Sequence, residues 1–451
     1  MDFYLARIAA YDDAGPALNA LITVNPQARD EAAALDAERA ESGPRGPLHG
    51  IPVVVKDNID TSEMPTTGGT LALEHFRPAE DAFQVDQLRE AGAIIIAKAN
   101  LAELAQSWQT YSPVGGQTLN PYDTSREPGG SSGGTAVAVT ANFAAVGLGT
   151  DTCGSNRLPA GLNNLYGLRP TSGLSSRAGV IPYSSSLDAV GPMARSVRDL
   201  AITLDATAGK DPADPTTVPL RTSFVDAVDP DGLHGRRIGV LTRSGMGEPI
   251  DYGKDLDGTL QDALDVMAAH GAELVDVALP RGVDDVLVEF MGEFPSALKR
   301  YFASEPTAPR RALVQVLVAG GGSADAGKPD TKAYRHALAT RQSFRRDLEA
   351  VMDRHDLDAI AYPVSPTTAE RLISPGADPS TGHWECAAAA VAGIPALAVP
   401  VGFASDGLPV GLELMGRAFD EATLISIAAG YEAHTHQRKL PPTTPPLGTA
   451  S

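Results

Sequence analysis

Runs of apolar residues and runs of helix-forming residues alternate along this chain. Short stretches of β-branched and small apolar residues predict buried strands, and the segments between them are rich in helix formers. The pattern predicts strands at residues 51–55, 93–97, 144–149 and 237–241, and helices at residues 29–41, 85–92 and 134–141. Because strands and helices alternate, we predict an α/β sheet with ligands at strand ends.

Three segments interrupt the alternation and are predicted to be irregular. Residues 209–235 carry four prolines and several aspartates, which favours a surface excursion within one domain or, alternatively, a domain boundary. Residues 319–330 are rich in glycine and predict a mobile loop, and residues 439–451, with four prolines, predict a disordered tail. The other parts are a helical segment at 1–42, a core at 46–205 and a C-terminal half at 236–438.

Composition and charge narrow the classes of partner and compartment. The net charge of −20 argues against a nucleic-acid partner, because phosphate binding requires clustered Lys and Arg. No apolar run approaches the roughly 18 residues of a membrane span, and the N-terminus lacks a signal-peptide pattern. Cys153 and Cys386 are the two cysteines, so we expect no disulfide framework and a reducing, cytoplasmic compartment.

Two glycine-rich turns, each with a serine, carry the candidate chemistry. Ser131 lies in Pro-Gly-Gly-Ser-Ser-Gly-Gly at residues 128–134, and Ser155 ends Gly-Thr-Asp-Thr-Cys-Gly-Ser at residues 149–155. Glycine allows backbone amides to point into a site that a side chain would block. Lys56 follows the predicted strand at 51–55, upstream of both turns.

Lys56 is the candidate base for a serine nucleophile. A serine hydroxyl attacks a carbonyl only when a base removes its proton, and an ordinary lysine, with a pKa near 10.4, is protonated at neutral pH. Burial after the valines at 53–55 would lower that pKa by disfavouring the charged form. A paired Asp57 would oppose this effect, so we predict that its side chain points away, because adjacent strand residues face opposite sides.

The two turns resemble the signature of the amidase signature family, serine hydrolases that use a Ser-Ser-Lys triad. The resemblance extends to the lysine motif at residues 46–58 and to later motifs at 187–196, 393–402 and 407–412, nearly the whole chain. It implies one large α/β domain over residues 1–451, with a mixed central sheet flanked by helices. It also implies a small-molecule amide substrate, no cofactor and no metal. Many members form dimers, so a homodimer is an expected assembly.

The resemblance assigns a role to each residue of the triad. Ser155 is expected to attack the amide carbonyl, Lys56 to act as the base, and Ser131 to relay the proton after a cis peptide bond from Gly130. The acyl-enzyme is then hydrolysed by water. The oxyanion is expected to be stabilised by the backbone N–H groups of Thr152, Cys153, Gly154 and Ser155.

Neighbouring polar residues are expected to support the turns. Ser132 and Thr135 are interpreted as turn and helix-cap groups. Asp151 and Arg157 are interpreted as a scaffold pair that holds the loop around the nucleophile.

Two residues depart from the usual family pattern. Cys153 stands where glycine is common, and Asn156 stands where an apolar residue is common. Cysteine keeps its backbone amide, so the oxyanion hole need not be lost. Its side chain narrows the loop, however, and this affects the expected substrate size.

Four alternatives remain open from the sequence. Residues 130–134 fit the G-x-S-x-G nucleophile elbow with Ser132 as nucleophile, which leaves Lys56 and Ser155 unexplained. Within the resembling family the chain is either a stand-alone amidase, which the segment at 293–302 favours, or the glutamine-hydrolysing component of a tRNA-dependent amidotransferase. An amine that intercepts the acyl-enzyme would give acyl transfer. A non-catalytic binding protein would have lost a triad member, and all three are present.

The motifs do not identify the substrate. Specificity is expected in the segments at 105–112, 180–186, 290–320 and 360–385. Five aromatic residues fit two interpretations equally well, as the lining of a substrate pocket or as part of the core. They are Trp108, Tyr111, Phe294, Tyr301 and Trp384.

Overall fold

The computed structural model describes residues 1–243, 247–281, 283–309, 312, 315–316, 331–374 and 386–448. The predicted glycine-rich loop at 319–330 and Trp384 lie outside these ranges. The strands of the described chain are β1 Leu21–Val24, β2 Pro52–Lys56, β3 Ile94–Ala99, β4 Tyr111–Ser112, β5 Gly116–Gln117, β6 Val146–Asp151, β7 Tyr166–Arg169, β8 Ala189–Ala194, β9 Arg237–Leu241, β10 Glu273–Val277, β11 Ala359–Pro363, β12 Ala396–Phe403 and β13 Pro409–Met415.

Eleven of these strands form one mixed sheet, in the order β1-β3-β2-β6-β8-β7-β12-β13-β11-β9-β10, while β4 and β5 form a separate hairpin. Strand β2 runs parallel to β3 and β6, and β9 runs parallel to β10 and β11. The other pairings in the sheet are antiparallel. The carboxyl ends of β2 and β6 therefore lie side by side at one edge of the sheet, and both lead into candidate site residues.

Helices cover both faces of this sheet. They are α1 Asp2–Tyr11, α2 Ala28–Ser42, α3 Phe83–Glu90, α4 Gly133–Thr140, α5 Arg157–Leu162, α6 Val197–Thr207, α7 Thr259–Ala269, α8 Asp284–Met291, α9 Phe294–Ser304, α10 Lys332–His355, α11 Cys386–Ala392 and α12 Glu421–Thr435. No helix within the described ranges is both long enough and apolar enough to cross a membrane. The architecture is a single large α/β domain, as predicted.

Strand β2 shows how the sequence pattern produces two packed faces. Val53 and Val55 pack in the core cluster that includes α3, α6 and α7, whereas Val54 packs in the cluster that includes α1 and α4. Successive strand residues point to opposite faces, so a continuous apolar run is buried on both sides. The same alternation sends Lys56 and Asp57 in opposite directions.

The elements predicted from local pattern are confirmed with small shifts at their ends. The strand predicted at 51–55 is β2 at 52–56, and the strand at 237–241 has the predicted bounds. The helix predicted at 85–92 is α3 at 83–90. Residues 209–235 are irregular apart from the 3-10 turn Val225–Ala227.

The C-terminal tail is a correction to the sequence prediction. Residues 439–448 are held by hydrogen bonds instead of being disordered, and residues 449–451 lie outside the described ranges. Arg7 donates to the Thr444 and Pro445 carbonyls at 2.8 and 3.0 Å, and the Tyr11 hydroxyl donates to Pro445 at 2.8 Å. The prolines exclude regular structure, but their carbonyls remain acceptors for side chains of α1.

Candidate active site

Lys56, at the end of β2, joins the two turns. Its Nζ lies 2.7 Å from Ser131 Oγ and 2.8 Å from Thr150 Oγ1. All three residues are buried, and β6, which carries Thr150, runs beside β2. The geometry brings the candidate base and the candidate relay into direct contact.

The protonation of Lys56 is set mainly by burial. Burial lowers the pKa of Lys56 to about 7, against the attraction of the Asp151 and Asp188 carboxylates, which favours the charged form. A substantial fraction of the amine is therefore neutral at pH 7. A neutral amine has a lone pair that accepts a proton from Ser131.

Asp57 points away from Lys56, which confirms the prediction from strand alternation. Its carboxylate lies 3.2 Å from Lys98 Nζ and accepts a hydrogen bond from the Thr67 amide at 3.0 Å. Asp57 and Lys98 are both fully buried. The motif Lys-Asp therefore supplies one residue to the site and one to a separate buried ion pair.

The turn that contains Ser131 packs against the turn that contains Ser155. The Gly130–Ser131 peptide bond is cis, as the resemblance implied. A Cβ at Gly130 would lie 2.8 Å from the Trp108 carbonyl carbon, so the turn requires glycine there. The Ser132 amide donates to the Ser155 carbonyl oxygen at 3.1 Å, which brings the two turns together.

Ser132 and Thr135 do not cap the helix, which corrects the sequence interpretation. No side-chain cap bond forms at the N-terminus of α4. The Ser132 hydroxyl instead donates to the Thr150 carbonyl oxygen at 3.1 Å and accepts from the Thr150 amide at 3.3 Å. Thr135 donates to the Leu148 carbonyl oxygen at 3.4 Å. Both side chains bind β6, because the helix begins directly against that strand.

Asp151 anchors the loop around Ser155. Its carboxylate accepts hydrogen bonds from the Gly154 amide at 2.9 Å and from the Asn156 amide at 3.2 Å, and Arg157 Nε donates to it at 2.9 Å. These contacts are the scaffold pairing of Asp151 with Arg157 that we expected.

The Gly154 amide is a correction to the expected oxyanion hole. Gly154 has a φ of +85°, a left-handed conformation that suits glycine, and its N–H donates to Asp151. That donor is therefore already in use. Across the described ranges, the structure gives no hydrogen-bond partner to the N–H groups of Thr152, Cys153 and Ser155.

The charges beneath the loop form a buried network. Burial alone would raise the pKa of Asp151, but the positive charges of Arg157 and Arg169 outweigh it and hold that pKa well below its usual range. Arg169 lies 3.1 Å from the Asp151 carboxylate, and Arg157 also pairs with Glu413 on β13. Asp151 therefore stays ionised, which keeps its hydrogen bonds to the loop amides intact.

Asn156 is directed into the sheet and away from the site. Its Nδ2 donates to the Leu168 carbonyl oxygen at 2.8 Å and to the Pro192 carbonyl oxygen at 3.3 Å. The amide side chain at position 156 therefore connects the loop to β7 and β8. An apolar residue, which is common at this position in the resembling family, would not make these hydrogen bonds.

Cys153 forms a disulfide with Cys386, which corrects the expectation of no disulfide. The two Cα atoms lie 5.0 Å apart, and the residues are separated by 233 positions in the sequence. Disulfides persist mainly in oxidising compartments. The disulfide therefore does not support a reducing, cytoplasmic location, which stays a prediction.

A cavity of about 100 Å³ opens beside Ser155. Among the residues that the structure describes, its wall is mostly apolar and carries no charged side chain. The lining residues are Ala105, Gln106, Ser107, Trp108, Thr152, Cys153, Ser155, Tyr183, Leu287 and Met291.

The candidate aromatic residues separate into pocket and core. Trp108 lines the cavity, and its Nε1 donates to the Cys153 carbonyl oxygen at 3.1 Å. Phe294 and Tyr301 are buried in a core cluster, and Tyr111 lies in the β4–β5 hairpin. Tyr183 is the aromatic wall residue that the sequence analysis did not select.

Glu293 fixes the loop that carries Tyr183; the sequence analysis selected its segment but not this residue. It is 3% exposed and accepts hydrogen bonds from Ser184 Oγ at 2.8 Å, the Ser186 amide at 2.8 Å and the Tyr334 hydroxyl at 2.5 Å. Two of the segments expected to set specificity, 180–186 and 290–320, are thereby joined by one carboxylate.

Thr150 and Asp188 are site residues that the sequence analysis also missed. Thr150 contacts Lys56, and the Asp188 carboxylate accepts a hydrogen bond from Thr152 Oγ1 at 2.6 Å. Both lie inside quoted motifs, so the motifs themselves were the available signal. A larger cavity of about 810 Å³ touches both residues but includes neither Ser131 nor Ser155 in its wall. We therefore place the candidate site at the smaller cavity.

Comparison with known proteins gives concordant matches over nearly the whole chain. A family model described as Amidase matches residues 1–425. A curated relative from Chloroflexus aggregans, the A component of its glutamyl-tRNA(Gln) amidotransferase, is 38% identical, over 96% of this chain and 93% of the relative.

Solved structures resemble the fold closely. The peptide amidase of Stenotrophomonas maltophilia matches with a TM-score of 0.88 and 40% identity, over 97% of this chain and 93% of the other. The A component of the glutamyl-tRNA(Gln) amidotransferase of Thermotoga maritima matches with a TM-score of 0.76 and 30% identity, over 98% and 93%.

Proposed function

This chain belongs to the amidase signature family, and we propose that within it the chain is a stand-alone, cofactor-free amidase with Ser155 as nucleophile. The observation that carries the proposal is the 2.7 Å contact between Lys56 Nζ and Ser131 Oγ in a buried site. A buried amine with a pKa of about 7 is suited to accept a proton near neutral pH.

The proposed reaction moves one proton along the triad. Neutral Lys56 takes the proton of Ser131 as Ser131 takes that of Ser155, and Ser155 Oγ attacks the amide carbonyl. The oxyanion is stabilised by N–H groups of the loop, with Cys153 and Ser155 as donors. The proton then returns through Ser131 to the departing amine, and water hydrolyses the acyl-enzyme.

The pocket favours an uncharged substrate. Trp108, Tyr183, Leu287 and Met291 supply apolar surface beside Ser155. Free glutamine carries an α-ammonium and an α-carboxylate, and burying either charge without a partner costs several kcal/mol or more. An amide with an apolar group next to the carbonyl fits this wall, and the name of the peptide amidase relative points to the amide of a peptide.

The second candidate is the A component of a glutamyl-tRNA(Gln) amidotransferase. The names of the curated relatives favour it. It predicts that this chain hydrolyses glutamine and gains activity from further protein components. The apolar wall that the described residues form beside Ser155 supports the stand-alone amidase over this candidate.

Intact mass after incubation with a fluorophosphonate tests the chemistry, and a substrate panel tests the class. We expect a single adduct on Ser155 of the isolated chain. We also expect ammonia release from a blocked peptide amide with an apolar residue, and none from glutamine. Absence of any adduct would contradict the hydrolase proposal, and glutamine hydrolysis alone would favour the amidotransferase component.

The rate of acylation is expected to rise with pH. Only the neutral form of Lys56 accepts a proton, and that form predominates above its pKa of about 7. The value of kcat/KM should therefore increase through pH 7, with a half-maximal value near it, and level off at higher pH. The labelling rate with an uncharged fluorophosphonate, measured over the same range, separates this ionisation from that of the substrate. A flat profile through pH 7 in both measurements would contradict a lysine base.

A charge on the pocket wall is expected to weaken substrate binding. Leu287→Asp places a carboxylate beside the apolar group of the substrate, so KM for an apolar amide should rise by about tenfold, which corresponds to about 1.4 kcal/mol. Val288→Asp is the matched control, because Val288 is the next residue of α8 and is 68% exposed. Equal KM values for the two variants would place the substrate elsewhere.

A further inference from the structure

The loop around Ser155 is held on two sides by polar contacts. Asp151 accepts hydrogen bonds from the Gly154 and Asn156 amides, and Asp188 accepts one from Thr152 Oγ1. Neither carboxylate holds the peptide of Cys153, whose N–H is a proposed oxyanion donor. Other contacts must fix that peptide.

The disulfide to Cys386 supplies the covalent contact at this position. Cys153 and Cys386 are 4% and 2% exposed, and Cys153 is also part of the pocket wall. Cys386 begins α11, a fully buried helix in the same core cluster as Phe290 of α8. The bond therefore ties the nucleophile loop to the helical layer that also supplies Leu287 and Met291 to the pocket wall.

Two hydrogen bonds converge on the same bridge. Trp108 Nε1 donates to the Cys153 carbonyl oxygen at 3.1 Å, and Arg157 Nη2 donates to the Cys386 carbonyl oxygen at 3.4 Å. The disulfide thus connects the indole of the pocket wall with the guanidinium that pairs with Asp151. Both ends of the bridge are anchored to groups that surround Ser155.

We propose that the Cys153–Cys386 disulfide positions the nucleophile loop, so that the oxidised chain is the fully active form and reduction lowers its turnover. The inference rests on the proposed amidase function. Oxyanion donors act only when they are fixed before the reaction, and removing one donor in other enzymes costs roughly 10²- to 10³-fold in kcat. Loosening a donor without removing it should cost less, on the order of tenfold.

The reduction step is a two-electron exchange with a dithiol. Dithiothreitol supplies two electrons and two protons, the Sγ–Sγ bond breaks to give two thiols, and dithiothreitol becomes a cyclic disulfide. Cys153 lines the pocket wall but is only 4% exposed, and Cys386 is 2% exposed, so reduction of the folded protein is expected to be slow. Alkylation followed by intact mass counts the thiols and shows when reduction is complete.

The test compares oxidised wild type, reduced wild type and the variant Cys153→Ala/Cys386→Ala with one amide substrate. In both forms without the bond, kcat should fall about tenfold while KM changes less than about twofold. Reoxidation should restore the wild type, and the double variant should not respond to dithiothreitol. If the reductant does not reach the disulfide, the double variant still tests the protein without the bond. If the double variant does not fold, the reduced wild type provides the same test.

Three results separate the possible failures. An unchanged kcat in folded protein without the bond, with only a lower melting temperature, would overturn the positioning role. Equal fluorophosphonate labelling rates in the oxidised and reduced forms would overturn it independently of substrate. Absence of labelling in oxidised wild type would instead contradict the amidase proposal.

Discussion

Ser155→Ala is expected to lower kcat by on the order of 10⁴- to 10⁶-fold, the range found when serine hydrolases of other folds lose triad function. The substitution removes the oxygen that forms the acyl-enzyme and leaves the loop contacts unchanged, since Asp151 binds backbone amides of the loop. The melting temperature should therefore stay close to that of the wild type. The measurement is kcat for the best amide of the panel, with fluorophosphonate labelling as the second readout.

Ser132→Ala is the matched control for this prediction. Ser132 belongs to the G-x-S-x-G sequence that fits a nucleophile elbow, but its hydroxyl bonds to both the amide and the carbonyl of Thr150. Loss of these bonds destabilises the fold by about 1–3 kcal/mol but removes no reacting atom, so we expect kcat to fall by less than roughly 10²-fold. A larger loss in Ser132→Ala than in Ser155→Ala would reverse the assignment of the nucleophile.

Lys56→Met is expected to lower kcat by on the order of 10²- to 10⁴-fold or more, the contribution of a positioned general base. Methionine fills a similar volume but accepts no proton from Ser131. The free energy of unfolding should not fall near or below pH 7. The reason is that the pKa of Lys56 is lower in the folded chain than in the unfolded one, so this group opposes folding most below pH 7 and ceases to do so only above its unfolded pKa.

Lys98→Met is the control, and it is expected to lower the stability of the fold while the folded protein keeps its reaction with the fluorophosphonate. Lys98 is also fully buried and lies on the adjacent strand β3, but it pairs with Asp57 at 3.2 Å. Its removal leaves a buried carboxylate without a cation and should destabilise the fold by about 3–5 kcal/mol. The protein that remains folded should still be labelled by a fluorophosphonate. If Lys56→Met were the less stable and the more active of the two variants, the assignment of the base would be wrong.

Local pattern predicted the elements around the site because their residues act over short distances. The β-branched run before Lys56 forms a strand, and the core packs against both faces of that strand. The same strand alternation correctly placed Asp57 away from Lys56. The prediction of a cap at Ser132 failed for the complementary reason. Its hydroxyl found a partner on β6, which the local sequence does not show.

Contacts between distant parts of the chain produced the other differences. Cys153 and Cys386 are 233 positions apart, and only the packing of α11 against the nucleophile loop brings their Cα atoms to 5.0 Å. The described part of the proline-rich tail is held in place because α1 presents Arg7 and Tyr11 to its carbonyls. Composition gave the opposite expectation for both features, since composition does not contain these distances.

The sequence by itself determined the family, the alternation of strands and helices, and the identities of the candidate base, relay and nucleophile, because short motifs and strand periodicity carry that information. Only the tertiary structure decided the protonation of Lys56, the use of the Gly154 amide by Asp151, and the wall of the pocket. Those properties depend on burial and on distances between residues far apart in the chain. They exist only after the sheet has placed β2 beside β6 and the helices have covered both faces.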